Sequence, residues 1–215
     1  MTRFDRIAWS KLVLFPLALL PALLLVEGAF ANRLGADPVD TLTHATGIWA
    51  LRFLLLSLTV TPLRQWTGWN GLIRYRRMLG LFAFFYATLH LLVYVALDLG
   101  AYWADLLTDI TKRPYMTVGF AAWLILLPLA ATSTRSMIRR LGRSWQKLHR
   151  LVYVAAVLAV LHFFWLVKAD LREPAVYAGI LGDFARVQGF QSLAQASPGR
   201  ADQRKGLKTI GTRAV

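Results

Sequence analysis

The sequence predicts an all-α integral membrane protein, a helical bundle of five transmembrane spans. It does not decide whether a sixth span forms. Hydrophobic residues make up 57% of the 215-residue chain and the mean hydropathy is +0.48, whereas soluble domains are usually about 45–50% apolar. The apolar residues are grouped into runs close to the length of about 20 residues that a helix needs to cross a bilayer. Short polar links separate these runs, which is typical of a multi-pass protein.

Five spans follow in order, at about residues 12–31, 44–62, 78–97, 116–131 and 148–166. The first could also be a signal peptide, because Ala29-Phe30-Ala31 resembles a cleavage site. About 20 apolar residues are long for such a signal, so we favour an uncleaved helix.

The C-terminal part of the chain is less regular. Residues 175–181, after Pro174, are apolar, but Asp183, Arg186 and Gln188 follow before a sixth crossing is complete. We therefore expect one membrane domain over residues 1–190. Residues 191–215 form a polar, basic tail that we expect to be disordered. The sequence does not determine whether residues 182–215 as a whole adopt an ordered structure.

The distribution of basic residues predicts the orientation. The N-terminal segment and the links after spans two and four hold 3, 4 and 5 Lys or Arg, whereas the links after spans one, three and five hold 1, 2 and 2. The richer side is cytoplasmic, so the N-terminus lies inside. The basic tail would fit a cytoplasmic C-terminus, which requires a sixth crossing. Because the net charge of +14 is concentrated between spans, it argues against nucleic-acid binding.

The chain contains no cysteine. Disulfides, iron–sulfur clusters and a thiolate-bound haem are therefore excluded, and any redox chemistry needs a bound cofactor.

Two of the four histidines are expected at the same depth. His90 on span three and His162 on span five each lie about 20 Å from the inner boundary, at a rise of about 1.5 Å per residue. Both spans run outward, so the pair is level in the outer half of the membrane. Two facing imidazoles could ligate one low-spin haem b. The alternative for each histidine alone is a packing or hydrogen-bonding residue.

His149 begins span five near the cytoplasm, where span three offers arginines and no histidine. It could ligate a second haem with a different sixth ligand, or contact another cofactor beside Arg76 and Arg77. Thirteen residues separate it from His162, which places the two rings roughly 140° apart around an ideal helix. His44, at the outer mouth of span two, is a less suitable ligand.

Three arginines are further candidates. Arg52 lies near the middle of span two and needs a partner, for which a haem propionate and Glu27 are the candidates. Arg76 and Arg77 are by default topology determinants, but they could also pair with a phosphate.

Several segments, in order over about residues 10–181, together resemble the MsrQ (YedZ) family of the ferric-reductase-like transmembrane superfamily. They are Leu34-Gly35-Ala36-Asp37-Pro38-Val39, His44-Ala45-Thr46-Gly47, Thr61-Pro62-Leu63, Arg74-Tyr75-Arg76-Arg77-Met78-Leu79-Gly80-Leu81, Ala87-Thr88-Leu89-His90-Leu91, Arg113-Pro114-Tyr115-Met116-Thr117, Thr132-Ser133-Thr134 and Leu141-Gly142-Arg143-Ser144-Trp145-Gln146-Lys147-Leu148-His149.

The resemblance implies a haem-binding subunit in the bacterial inner membrane that serves a methionine-sulfoxide reductase system. Such a subunit takes electrons from the quinone pool, or through a flavin from a cytoplasmic reductase. It passes them to MsrP, the periplasmic molybdopterin subunit that repairs oxidised proteins. The family's haem-linked histidines correspond to His90, His149 and His162, for one or two haems b, and FMN is a family cofactor on the cytoplasmic side. Members usually have six spans, and this chain departs from them after about Leu181.

The expected role is electron transfer, with no bond chemistry at the chain itself. Arg76 and Arg77 would then hold an anionic flavin phosphate or a quinone head group. Two rival functions remain at this stage. A proton-coupled transporter would use the histidines as a relay, and a ferric reductase would deliver electrons to extracellular metal.

Overall fold

The computed structural model describes residues 3–100, 102–166, 175–177 and 179–182. Within these residues the secondary structure is helical, which confirms the all-α prediction. The helices are α1 (Arg3–Phe30), α2 (Pro38–Thr67), α3 (Ile73–Val93), α4 (Trp103–Lys112), α5 (Pro114–Ala131), α6 (Arg135–Leu141), α7 (Arg143–His149) and α8 (Leu151–Leu166). A short 3-10 turn precedes α3 at Asn70–Leu72, and a π-helical turn extends it over Tyr94–Asp98.

Five helical segments are long and apolar enough to cross a membrane: Trp9–Phe30, Pro38–Thr67, Asn70–Asp98, Pro114–Ala131 and Arg143–Leu166. This confirms the five predicted spans and makes the chain a multi-pass membrane protein. Because the chain reverses after each span, the end of α1, the starts of α2 and α5 and the end of α8 share one end of the bundle, here called the predicted outer end. The opposite end, which carries α6 and α7, is called the predicted inner end.

The second helix, α2, is longer than its apolar run suggested. At the start of α2, the Asp37 carboxylate accepts a hydrogen bond of 3.0 Å from the backbone N–H of Asp40, and Pro38 occupies the first turn. This cap lets polar residues begin the helix before its apolar run. The helix continues to Thr67, where Gly68 ends it with a φ of 68°, a conformation that favours glycine.

Two predicted links contain helices of their own. The link between spans three and four includes α4, and the basic link before span five is folded into α6 and α7. The predicted single stretch from Leu148 to Leu166 is interrupted at Arg150, between α7 and α8. His149 and His162 are therefore not on one uninterrupted helix.

The core lies where α2, α3, α5 and α8 meet. It consists largely of small and aromatic side chains that are buried from solvent. Ala83, Ala155 and Ala156 are almost fully buried and let the helix backbones approach closely. Phe53 stacks between Phe82 and Tyr86, with ring centroids 5.5 Å and 5.3 Å away. The α1 helix joins this core through two buried alanines, Ala18 and Ala22.

A short helical piece follows the fifth span at residues 175–177 and 179–182. Tyr177 and Leu181 pack against the cluster of Leu51, Leu55, Val160 and Phe163. The remainder of the sixth-span prediction and the predicted tail over 191–215 lie outside the described residues, so both stay predictions.

Tyr86 ties α1 to α3, and its hydroxyl is expected to contribute measurably to stability. The hydroxyl donates to the carbonyl of Ala18 at 2.8 Å and accepts from the N–H of Ala22 at 3.1 Å, inside the backbone ladder of α1. Pro21 weakens that ladder locally, because its ring lacks an N–H and displaces the preceding turn. We expect Tyr86→Phe to lower the free energy of unfolding by about 1–3 kcal/mol, since it leaves buried backbone groups unpaired.

Thermal unfolding in detergent, followed by circular dichroism, measures this effect. Tyr102→Phe is the control, because the Tyr102 side chain is 69% exposed. Equal unfolding midpoints for both variants would show that the Tyr86 hydroxyl is not a structural bridge.

Candidate functional site

A cavity of about 400 Å³ lies between α2, α3, α5 and α8, in the half of the bundle nearer the predicted outer end. Its volume is within the range of about 300–1,000 Å³ for small-molecule and cofactor sites. The walls are mostly apolar, and three histidines, His44, His90 and His162, line it. The cavity therefore combines an apolar chamber with a few polar groups, as cofactor sites do.

His90 and His162 face each other across this cavity. Their ring centroids are 6.2 Å apart and the ring planes meet at 78°. With metal–imidazole bonds of about 2 Å on each side, two rings bound to one ion place their centroids roughly 6 Å apart. Rotation about each metal–nitrogen bond leaves the angle between the planes free. The separation therefore suits two imidazoles on opposite sides of one metal ion.

Both rings are held by a backbone carbonyl through the same nitrogen. His90 Nδ1 lies 2.8 Å from the carbonyl oxygen of Thr43, and His162 Nδ1 lies 2.7 Å from that of Tyr115. A carbonyl oxygen only accepts, so Nδ1 must carry the proton in both rings. The Nε2 atom of each ring is then left with a lone pair for a metal. Such contacts from the second ring nitrogen fix the tautomer and orientation of metal-binding histidines.

A glycine makes room for each ring. A Cβ built on Gly119 would come 2.7 Å from His162 Nδ1, and one built on Gly47 would come 3.1 Å from His90 Nδ1. These separations are shorter than ordinary van der Waals contacts, so both imidazoles lie directly against the backbone of the neighbouring helix. Any side chain at Gly119 would displace the ring from its carbonyl.

The two half-sites are built alike in sequence and in space. In each, the accepting carbonyl lies 47 residues before its histidine, and the glycine follows that carbonyl by four residues. The pair α2–α3 supplies one half and the pair α5–α8 supplies the other. This repetition is visible in the sequence as the equal spacing of Thr43, Gly47 and His90 with Tyr115, Gly119 and His162, but it is not among the predicted features.

The donor set suits a haem iron. Among the described residues, no group of three or more His, Cys, Asp or Glu side chains could hold a bare metal ion. Two imidazoles are sufficient where a porphyrin supplies the other four ligands, and axial histidines are common for haem. The level pair predicted from the sequence is therefore brought together in a geometry that fits this cofactor.

Charged groups surround the predicted outer mouth of the cavity. Asp37, Asp40 and Asp98 line it, together with Arg113 at the start of α5. The sequence analysis did not select Arg113 as a site residue. The signal that could have identified it is its place at the start of the segment Arg113-Pro114-Tyr115-Met116-Thr117, which does not include the neighbouring Lys112.

His149 lies elsewhere, at the predicted inner end. Its Nε2 atom is 3.2 Å from the hydroxyl of Thr132, and its ring stacks on Trp145 with centroids 4.0 Å apart. The indole N–H of Trp145 donates to the carbonyl of Thr132 at 3.1 Å. His149 is thus held in a small polar contact group at the junction of α5 and α7, away from the His90–His162 pair.

The arginine candidates are separated from the histidine pair. The Arg52 Nε–H donates to the Tyr177 hydroxyl at 3.2 Å, and its guanidinium lies 5.0 Å from the centre of the Trp49 ring. Glu27, one of its two candidate partners, instead pairs with Arg33 at 2.9 Å. Arg52 is not among the residues that line the cavity.

Arg76 and Arg77 lie at the predicted inner end, with other cations nearby. Arg76 is close enough to His149 for their charges to interact. Lys11 is close enough to Arg77 for their charges to interact, and the charges of Arg74 and Arg135 act on Lys11 as well. Three helices, α1, α3 and α6, therefore bring positive charge to one place.

Comparison with known proteins identifies the family. The model of the ferric reductase like transmembrane component matches residues 46–160. The chain is 57% identical over 175 residues to the protein-methionine-sulfoxide reductase heme-binding subunit MsrQ of Xanthomonas oryzae pv. oryzae (strain MAFF 311018), covering 81% of this chain and 79% of that protein. It is 49% identical over 198 residues to the subunit of the same name from Rhodospirillum rubrum, covering 92% of this chain and 95% of that protein.

The relative from Xanthomonas euvesicatoria pv. vesicatoria (strain 85-10), also named as an MsrQ heme-binding subunit, is 62% identical over 151 residues, covering 70% of this chain and 69% of that protein. No solved structure matches the chain. The family model covers the part of the site that contains Gly47, His90, Tyr115 and Gly119. The relatives match this chain over more than two thirds of their length. The chain therefore belongs to the MsrQ family of ferric-reductase-like transmembrane proteins.

Proposed function

We propose that this chain is the haem-binding, electron-transferring membrane subunit of a methionine-sulfoxide reductase system. The observation that carries the proposal is the pair of His90 and His162, whose ring centroids are 6.2 Å apart and whose Nδ1 atoms are each held by a carbonyl, which leaves both Nε2 atoms free. The relatives named as heme-binding subunits support the same assignment. The proposed cofactor is a haem b in the cavity between α2, α3, α5 and α8.

The chain's own residues would hold the haem and set its properties. A bound haem b supplies reversible one-electron chemistry. His90 and His162 would hold the haem iron through their free Nε2 atoms. The carbonyls of Thr43 and Tyr115 would increase the basicity of the two imidazoles, and the apolar walls would keep water from the metal. This arrangement favours electron transfer over bond-making chemistry.

The electron donor would act at the predicted inner end. We place the flavin phosphate of FMN, or a quinone head group, near Arg76 and Arg77, because Lys11, Arg74 and Arg135 add positive charge around Arg77. His149, beside Arg76, remains a candidate ligand of a second haem. The donor would be the quinone pool or a cytoplasmic flavin reductase. The N-terminus would then be cytoplasmic and the chain would lie in the bacterial inner membrane.

The electron acceptor would be an MsrP-like periplasmic molybdopterin subunit. The histidine pair lies in the half of the bundle nearer the predicted outer end, so an electron on its haem would be close to the periplasmic surface. Repair of methionine sulfoxide in periplasmic proteins would be the physiological result.

A ferric reductase is the second candidate, and the description of the matching family model favours it. The two functions can be distinguished with purified protein that has been reduced by dithionite. Reoxidation of its haem is followed after addition of either MsrP or a ferric chelate. We expect MsrP to reoxidise the haem at least tenfold faster than an equal concentration of chelate. The opposite order would favour a ferric reductase.

The first measurement is the oxidised-minus-reduced spectrum of the detergent-purified protein, with pyridine haemochrome quantitation. We expect a b-type signal of one or two haems per chain. A folded, helical protein without haem would contradict the proposal and favour a transporter that uses its histidines as a proton relay.

A further inference from the structure

The predicted outer mouth of the cavity carries an organised charged group that the histidine pair does not require. The Arg113 Nε–H lies 3.2 Å from the Asp109 carboxylate, and one Nη1–H donates to the Tyr115 hydroxyl at 3.2 Å. Asp109 also accepts a hydrogen bond from the Tyr94 hydroxyl. Arg113, Tyr94 and Tyr115 all line the cavity. The guanidinium is thus held at the mouth by residues from α4 and α5.

Charge at the mouth is otherwise negative. Among the described residues that line the cavity, Arg113 is the sole Lys or Arg, whereas Asp37, Asp40 and Asp98 contribute carboxylates. A guanidinium has five N–H donors, and the contacts with Asp109 and Tyr115 use two of them. The remaining donors are available to a second anion. A planar guanidinium is well suited to bind carboxylates in particular.

Arg113 is also connected to the histidine pair. Tyr115, whose hydroxyl accepts from Arg113, is the residue whose carbonyl holds His162 Nδ1 at 2.7 Å. The rings of Tyr115 and His162 have centroids 6.4 Å apart. Tyr115 therefore connects a carboxylate bound to Arg113 with the backbone carbonyl that holds His162.

We propose that Arg113 binds a propionate of the haem at the outer mouth of the cavity and thereby orients the ring between His90 and His162. The inference rests on the proposed haem function and adds an anchor for one of the cofactor's two carboxylates, since a carboxylate cannot be buried unpaired in an apolar cavity. Arg113 fills this role in place of Arg52, which lies away from the cavity lining. Arg113 is a positioning residue, and its charge contributes to the reduction potential of the haem.

The sign of this contribution provides a test. A positive charge near the haem favours the reduced form, so its removal lowers the midpoint potential. Removing the negative charge of Asp109 raises it. A merely structural ion pair between Arg113 and Asp109 predicts instead that loss of either partner gives the same change, because both variants break the same contact.

The experiment is a spectroscopic redox titration of the full-length, haem-loaded protein. We expect Arg113→Gln to reduce the ratio of reduced to oxidised haem about tenfold at a fixed applied potential, equal to about 59 mV for a one-electron couple. Asp109→Asn should shift the ratio in the opposite direction. Lys112→Gln is the matched control, since it removes the same charge from an exposed neighbour that does not line the cavity, and it should shift the ratio less than threefold.

Resonance Raman spectra give a second readout, because the propionate bending band should change in Arg113→Gln and remain unchanged in Lys112→Gln. If Arg113→Gln fails to retain haem, Arg113→Lys replaces it. Retention of haem in Arg113→Lys, which keeps the charge, supports the proposal. Loss in Arg113→Gln, Arg113→Lys and Asp109→Asn alike overturns it in favour of a structural ion pair.

Equal shifts in Arg113→Gln and Lys112→Gln would also overturn the proposal. Such a result would leave the haem assignment intact, because that assignment depends on the histidine variants. The failures of the two proposals are therefore distinguishable.

Discussion

Replacing His90 or His162 by alanine is expected to remove the low-spin haem b spectrum of the purified protein. Each substitution removes one of two imidazoles whose centroids are 6.2 Å apart across the cavity. With a single histidine left at the site, the iron could no longer be held by two imidazoles, which the low-spin state would need. We expect at least a tenfold loss of the low-spin signal in each variant, measured by dithionite-reduced difference spectra and haemochrome content.

His44→Ala is the control for this experiment. His44 also lines the cavity, and its ring lies 6.1 Å from that of Phe163, but it has no place in the facing pair. We expect this variant to keep the low-spin signal. His149→Ala separately reports on a second haem, since a halved haem content would assign His149 as a ligand. Unchanged spectra in both His90→Ala and His162→Ala would contradict the assignment of the site.

The second large effect is expected at the glycines that contact the two rings. A Cβ at position 119 would approach His162 Nδ1, Cε1 and Cγ to 2.7, 2.8 and 3.0 Å, which the ring can relieve only by leaving the Tyr115 carbonyl. At position 47 the nearest approach to His90 is 3.1 Å, which a shift of a few tenths of an ångström relieves. We therefore expect Gly119→Ala to lower the haem content severalfold and Gly47→Ala to lower it less.

Gly80→Ala supplies the matched control. Gly80 lies within α3, and a Cβ there would meet nothing within 4 Å. We expect Gly80→Ala to keep the full haem content, with helicity unchanged by circular dichroism in all three variants. Equal haem contents in Gly119→Ala and Gly80→Ala would show that His162 does not need the close approach to α5.

The sequence was sufficient to predict the relative depth of the histidines, because depth in a membrane follows from helix rise. Counting residues from the basic links placed His90 and His162 at one level, and the structure has them facing each other. The same counting placed His149 at the opposite end, where it lies beside Trp145 and Thr132. It also gave the five spans, because each is a nearly continuous apolar run.

The contacts that define the site could not be predicted in this way. The carbonyls of Thr43 and Tyr115 are 47 residues from the rings that they hold. The residue type does not mark a backbone acceptor, so the repeated spacing to a glycine and a histidine is the signal that the sequence offers for it. The role of Arg113 depends on where α4 begins and ends, which hydrophobicity did not indicate. Arg52 likewise had two candidate partners, Glu27 and a propionate, whereas its neighbours in the structure are Tyr177 and Trp49.

The sequence by itself determined that the chain is a helical membrane protein with a level histidine pair and without thiol chemistry. These properties depend on composition, on the rise of a helix and on the thickness of a bilayer, and each is local or additive along the chain. Only the tertiary structure decided which ring nitrogen is free, which glycines admit the imidazoles and which cation reaches the cavity. Those properties depend on how four helices pack side by side, because contacts between distant residues are set by helix rotation and crossing, which hydrophobic runs leave undefined.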